Sequence, residues 1–414
     1  MIIIDKAKNV LKLFFKMIFY FMMNIVWLLS YIIPKKKNIW IFGSWFGQKF
    51  ADNSKYLFLY IKKYHPEIRS IWLSDNINVI NELRKKGYEA YKTYSFKGFI
   101  YSMKTGCVIL STGVADVNRF AIARAKKIQL WHGTPLKKIG FDNIHLLNKM
   151  GKVKSCLRSF FPFLNESYDL IISASDETKK KLISAFQVDK NKVMITGYPR
   201  NDVLFSPNWL NNEGCDYIER IKEKVDFKYI FAYIPTCRGI GYVDVDLFSR
   251  YNFNINLLQK AMESLNGIFI IKPHHYNSLR KGLEKVHSSE RVFIVSDQEI
   301  PDIYPLLKYV DVLVTDYSSV YFDFLLLNRP IIFAPFDINE FKKTTDDLYY
   351  DYDEVTPGPK AKSWDEVIEY ISHSVINRNE YEIERKKIGT VFNMYLDGNS
   401  SMRVYNAIIE LLNE

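Results

Sequence analysis

The chain has 414 residues, more than one typical hydrophobic core supports, so two domains are expected. Its 48% hydrophobic and 25% charged content is that of a globular protein and excludes a disordered one. The formal charge is +11, but residues 1–37 carry seven lysines against Asp5, so the basic excess belongs mainly to an N-terminal arm and does not indicate a nucleic-acid-binding body. The four scattered cysteines form no CxxC pair and no zinc spacing with histidine, which reads as reduced thiols.

Met17–Pro34 is apolar apart from Asn24 and Ser30, and lysines flank it on both sides. A spanning helix needs ~20 apolar residues, and lysines on both flanks oppose spanning. Lys8, Lys12 and Lys16 fall along one helical face. These features suit an in-plane amphipathic or re-entrant anchor on an anionic inner leaflet, with the body in the cytoplasm; a buried core helix is the other reading. No small-residue cleavage site follows the apolar run, which disfavours a signal peptide.

Beyond the arm, β-branched apolar runs alternate with helical patterns. Asn38–Phe42, Ile68–Leu73, Gly106–Ser111, Ile128–Trp131, Asp169–Ser173 and Lys192–Thr196 read as buried strands, with helices at Ser54–Tyr64 and Asn76–Lys86. Residues 143–165 interrupt the pattern: Lys149, Lys152, Lys154 and Arg158 stand beside Leu157, Phe160, Phe161 and Phe163. This insertion reads as a second membrane-facing patch, the wall of a groove for an anionic acceptor, or a solvated loop. Trp209–Lys224 reads as a crossover, after which the pattern restarts with strands Tyr229–Ile234, Ile268–Ile271 and Val292–Val295 and helices Ile255–Leu265 and Ile303–Leu307. Asp311–Thr315, a polar turn at 316–319, helix Val320–Leu327 and strand Ile331–Ala334 complete one parallel βαβ unit. The expected fold is α/β: two Rossmann-like parallel-sheet domains facing a cleft, after an N-terminal apolar helix.

Polar turns fall at the carboxyl ends of these strands, where open α/β sheets bind ligands. His132, before Gly133, is either a structural turn histidine or a general base working near neutral pH. Arg200 and Asn201, and Thr236 and Arg238, are either turn residues or phosphate ligands. Lys272 and His274 end a strand of the second half, where either could hold a diphosphate or protonate a leaving phosphate. Ser318 and Ser319 have the chemistry of helix caps and also of a phosphate site. Asp323 lies one turn on, as a solvated helix charge or an acceptor for ribose hydroxyls. No Walker, dinucleotide or GxSxG motif occurs, and no metal site is indicated.

Taken in order, WHGTPLKKIGFD (131–142), GYPRND (197–202), PTCR (235–238), KPHH (272–275), TDYSSVYFDFLLLNRPIIF (315–333), DYDEVTPGP (351–359) and YLDGNSSMRV (395–404) resemble the CDP-glycerol glycerophosphotransferases, which include teichoic acid polymerases and primases. FGSWFGQKFADNSKYL (42–57) resembles the family's opening strand and helix, and the likeness runs from about Asn38 to the C-terminus. One departure is His275, which stands where the family pattern has proline. The resemblance implies a GT-B architecture and transfer of a polyol phosphate, glycerol phosphate foremost, from CDP-glycerol or CDP-ribitol, with release of CMP. The acceptor would be a hydroxyl of a lipid-linked glycan or polyol phosphate, in teichoic acid or capsule, at the inner leaflet of a bacterial membrane. By position, His132 resembles the base. Arg200 and Asn201 would hold the transferred phosphate, and His274 would meet the donor diphosphate or help CMP leave. Ser318 and Ser319 would bind donor phosphate beside Lys272, Thr236 and Arg238, with Asp323 near the cytidine ribose. Mg²⁺ is compatible with this chemistry, although no dedicated carboxylate set for it is visible.

The domains implied are a membrane-associating arm at 1–37, an acceptor-side domain at 38–208, a crossover at 209–227, and a donor-binding domain at 228–414 that includes the C-terminal helix. A nucleotide-sugar GT-B glycosyltransferase and a non-catalytic membrane scaffold for polymer assembly are the competing readings.

Overall fold

The computed structural model describes residues 2–144, 157–158, 160–205, 213–236, 246–273, 289–296, 298–344 and 347–414. The first sheet is built from β1 (Lys36–Phe42), β2 (Arg69–Ser74), β3 (Ala90–Lys92), β4 (Thr105–Leu110), β5 (Lys126–Gln129), β6 (Leu170–Ser173) and β7 (Val193–Ile195), in spatial order β3-β2-β1-β4-β5-β6-β7. The second contains β8 (Tyr229–Tyr233), β9 (Gly267–Ile271), β10 (Val292–Ile294), β11 (Val312–Thr315) and β12 (Ile331–Phe333), in order β10-β9-β8-β11-β12. Every pairing in both sheets is parallel. This is the expected pair of Rossmann-like domains in a GT-B arrangement. The three-residue edge strand β3 is too short to show a period in the sequence and was not expected.

Helices cover both faces of each sheet, so the strands are apolar on both sides. In β1, Trp40 and Phe42 face one core while Ile39 and Ile41 face the other. In β8, Ile230 and Ala232 join one core and Phe231 and Tyr233 the other. The two-residue period of a strand thus splits each domain's apolar residues between two layers.

Three segments make contacts that the domain outline did not specify. The C-terminal helix Ser400–Asn413 lies on the first sheet: Val404, Ala407, Ile408 and Leu412 pack with Trp40 and Phe42. Asp202 holds its start, accepting from the backbone N–H groups of Ser400 and Ser401 at 2.8 Å each. The crossover contains a helix, Glu213–Lys222, whose Tyr217, Ile218 and Ile221 enter the second domain's core. The N-terminal segment is held against the body. Its helix runs Ile2–Ile32 and docks through Tyr20, which meets the rings of Phe161 and Phe163 at 5.4 and 5.7 Å. Ser30 Oγ donates to the Ala121 carbonyl at 2.7 Å, and β1 already begins at Lys36. Of the 143–165 insertion, Leu157, Phe161, Phe163 and Leu164 form part of this same cluster, while 145–156 and 159 lie outside the described residues.

The domains are joined by buried polar contacts. Lys55 of the helix Asp52–Tyr64 reaches Asp302 of the second domain at 3.0 Å, and Tyr56 Oη donates to the same oxygen at 2.6 Å. Both ion-pair partners are buried. Burial would raise the Asp302 carboxyl, but the Lys55 ammonium and the hydrogen bonds from Tyr56 and the Tyr304 N–H outweigh it and hold the group below its ordinary range. A carboxylate so depressed contributes stability above its unfolded-state pKa and loses it as pH falls through its folded value. Lys55→Met should therefore destabilise the protein by about 3 kcal/mol, because it leaves a buried charge without its partner. Urea unfolding at neutral pH reads this directly, and Lys55→Met with Asp302→Leu together should recover part of the loss.

Candidate active site

One cavity of about 440 Å³ opens between the domains. Its first wall comes from the turns after β1 and β5, including Trp45, Lys49, His132 and Lys137. Its second comes from the ends of β8, β9 and β11, including Thr236, Lys272, Ser318 and Ser319. Strand order reverses between β1 and β4 in one sheet and between β8 and β11 in the other. Each domain thus turns its switch-point crevice, the usual ligand position of a doubly wound sheet, toward the same space.

His132 is presented by a strained turn. Trp131 before it has φ +55°, a left-handed conformation unfavourable for a bulky residue, and Gly133 after it has φ +131°. His132 Nδ1 lies 3.0 Å from the Ser111 carbonyl. A carbonyl only accepts, so Nδ1 carries the proton and Nε2 keeps its lone pair. Burial pushes the imidazole pKa below its ordinary value, against the pull of Asp52, so the ring is a neutral base at pH 7. The carbonyl that orients it belongs to a turn held by Asp116, which accepts from the N–H groups of Ser111, Thr112 and Gly113 and from that of Phe46. Burial raises the Asp116 carboxyl to about 6 despite these four donors. Gly133 allows the close approach of the domains: a Cβ there would lie 2.6 Å from Arg200 Nη2 and 3.0 Å from Ser319 Oγ.

Arg200 lines the cavity but is 3% exposed and held between carboxylates of both domains. Nη1 donates to Asp52 at 2.8 Å and Nη2 to Asp323 at 2.6 Å. The Tyr304 ring stacks at 4.6 Å. Burial works against the guanidinium charge, but Asp323, Tyr304 and Asp52 overcome it and raise the pKa further above its ordinary value. Asp323 also accepts from Asn201 Nδ2 at 2.8 Å and Tyr304 Oη at 2.6 Å. Neither the solvated helix charge nor a ribose is what the Asp323 carboxylate meets here: it is fully buried, with both oxygens engaged by protein, and it clamps the GYPRND turn to the second domain. Arg200 and Asn201 are the other half of that clamp.

Ser318 and Ser319 both line the second wall, and Ser319 makes no side-chain cap bond, contrary to the cap reading. Thr236 is tied to Asp316 through its N–H at 2.8 Å and its hydroxyl at 2.6 Å. Lys272 is buried at the cavity edge, where its N–H donates to the Tyr233 carbonyl. Arg238 and His274 lie outside the described residues. Among the described residues no group of three or more His, Cys, Asp or Glu side chains is placed to hold a metal. Asp52, Asn53, Asp116, Asp302 and Tyr304 build the site yet were not singled out from the sequence. Asp52 and Asn53 do stand inside FADNSKYL, but nothing in that string marks them as facing the turns at 131 and 200.

The profile of the CDP-Glycerol:Poly(glycerophosphate) glycerophosphotransferase family matches residues 25–410. The chain belongs to this family. Teichoic acid glycerol-phosphate transferase of Staphylococcus aureus is 30% identical over 387 residues, 90% of this chain and 93% of that protein. Teichoic acid ribitol-phosphate primase of Bacillus spizizenii is 25% identical over 93% of this chain and 94% of its own. The chain spans about half, 53%, of the teichoic acid poly(glycerol phosphate) polymerase of Bacillus subtilis, at 28% identity. The solved wall teichoic acid polymerase TagF superposes with a TM-score of 0.72 and 22% identity over 99% of this chain and 98% of that one, so the two share a fold.

A base that must be neutral sets the acid limb of the pH profile. Because the His132 pKa is lowered, the acid limb of kcat/KM should have its midpoint below about 6.5, the ordinary imidazole value, if this ring is the base. A pH–rate profile for the wild type tests this; an acid limb centred above that value would count against His132 as base.

Proposed function

We propose that the chain transfers a polyol phosphate, glycerol phosphate foremost, from a CDP-linked donor to a hydroxyl of a membrane-associated teichoic acid or capsular acceptor. The observation that carries this reading is a neutral His132 on one wall of the cavity, with its turn against Ser319 of the other. The family and the glycerol-phosphate relative support the donor class. Ribitol phosphate is the alternative, because ribitol-phosphate enzymes also stand among the relatives.

In this reading the acceptor hydroxyl gives its proton to His132 Nε2 as its oxygen attacks the donor phosphorus that bears the polyol. The bond from that phosphorus to the bridging oxygen breaks, and CMP leaves with the bridging oxygen. Phosphoryl transfer depends on positioning and charge neutralisation more than on covalent catalysis. Ser318, Ser319, Thr236 and Lys272 would hold the diphosphate from the second domain, with Arg238 and His274 added by the family resemblance. Arg200 and Asn201 contribute chiefly by fixing the distance between the walls, since two carboxylates already offset the guanidinium charge. CMP release should depend on acceptor and on one of the two donors, and His132→Ala should lower turnover about 10²-fold, in the range of a general base. A folded protein inactive with CDP-glycerol and CDP-ribitol but active with a UDP-sugar would replace this reading with the glycosyltransferase one.

The N-terminal helix is proposed to lie in the plane of the inner leaflet. One face is docked on the body, while Phe14, Ile18, Phe21, Ile25, Leu29 and Ile32 form an exposed stripe along the other. Their spacing of three or four residues puts them on one side of the helix. Substituting Phe14, Phe21, Ile25 and Leu29 with serine should release the protein from anionic vesicles while preserving turnover on a soluble acceptor. Truncation at residue 37 would be a poor test, because it strips Tyr20 and Ser30 from the body and cuts into β1.

A further inference from the structure

Asn53 is fully buried, and both its amide hydrogens and its amide oxygen are hydrogen-bonded. Nδ2 donates to the Leu130 carbonyl at 3.1 Å and to the Trp131 carbonyl at 2.9 Å. Oδ1 accepts from the Arg200 N–H at 3.1 Å. Both amide hydrogens and the oxygen therefore join the turn that presents His132 to the turn that carries Arg200. The Trp131 carbonyl belongs to the residue held at φ +55°, a conformation that persists only when its surroundings over-determine it. Asn53 is also in the first turn of the helix Asp52–Tyr64, whose next residue, Ser54, bonds Ser111 Oγ at 2.7 Å, beside the carbonyl that orients the imidazole. One helix start thus braces both supports of the base.

We propose that Asn53 is a positioning residue for the transfer reaction, fixing the Trp131–His132 turn against the Pro199–Asn201 turn so that Nε2 meets the acceptor hydroxyl. The proposal rests on the reading of His132 as the base. Asn53 itself touches no substrate; it acts through the backbone of its neighbours. Misplacement of a reacting group by about 1 Å costs on the order of 10²-fold in rate.

The test pairs Asn53→Ala with Asn53→Asp in the full chain, measuring CMP release and the titration of His132 by NMR of ¹⁵N-labelled imidazole. Asp52, Arg200 and Lys137 are the charged groups that bear on this ring. Asn53→Ala alters none of their charges, so a shift in its titration reports a displaced ring. The expected result for the alanine variant is a folded protein with kcat lowered at least about 10-fold, donor KM nearly unchanged, and a His132 pKa moved up toward the ordinary ~6.5. Asn53→Asp retains size and the acceptor for the Arg200 N–H but loses both donors, and should show the same loss of kcat. Wild-type kcat and titration in either folded variant would overturn the proposal. Unfolding of both would do so too, by making Asn53 a fold residue. The base reading fails separately, if His132→Ala retains wild-type turnover; the ring displacement in Asn53→Ala is read without reference to activity.

Discussion

A guanidinium buried between two domains constrains the whole molecule. Arg200 cannot be left unpaired out of water, and it takes one carboxylate from each side, Asp52 and Asp323. Asn201 and Tyr304 complete the cluster on Asp323. Such a cluster adds little net stability over an apolar packing of the same volume, but its hydrogen-bond geometry admits one arrangement of the walls. Gly133 shows how tight that arrangement is, since a methyl group there would stand 3.0 Å from Ser319 Oγ of the opposite wall.

With the spacing set, the chemistry follows from where each sheet ends. Two doubly wound sheets direct their switch points at a common cavity, so the His132 imidazole from one domain and the Ser318 and Ser319 hydroxyls from the other line the same space. Trp45, Phe46, Asp52 and Trp131 all have positive φ near this cavity. Two of these residues are held by buried side chains: Asp116 accepts from the Phe46 N–H, and Asn53 donates to the Trp131 carbonyl. Burial lowers the pKa of the His132 imidazole and raises that of the Asp116 carboxyl behind it, so low polarity keeps one group neutral and works against charge on the other.

The N-terminal helix divides its faces in the same way. One side buries Tyr20 among Phe120, Phe161 and Phe163, and the other is left apolar and exposed. Because Phe161 and Phe163 come from the segment that interrupts the α/β pattern, that interruption has at least one structural purpose, the seating of this helix.

Period and turn chemistry determined much of this protein from its sequence. Parallel strands buried on both faces, such as β1 and β8, show as continuous β-branched and aromatic runs. Their polar carboxyl-end turns stand out against those runs, which is why His132, Thr236, Lys272, Ser318 and Ser319 could be named as cavity residues. The partner of Asp323 could not be read, because a helical carboxylate looks the same in sequence whether it meets solvent, a ribose or an arginine 123 positions away. The same limit hid Asn53, whose partners lie 77, 78 and 147 positions off, and the return of Ser400–Asn413 to the first sheet. Local periodicity reports which side of an element is apolar; which distant polar group completes a buried hydrogen bond is decided only when the chain has closed on itself.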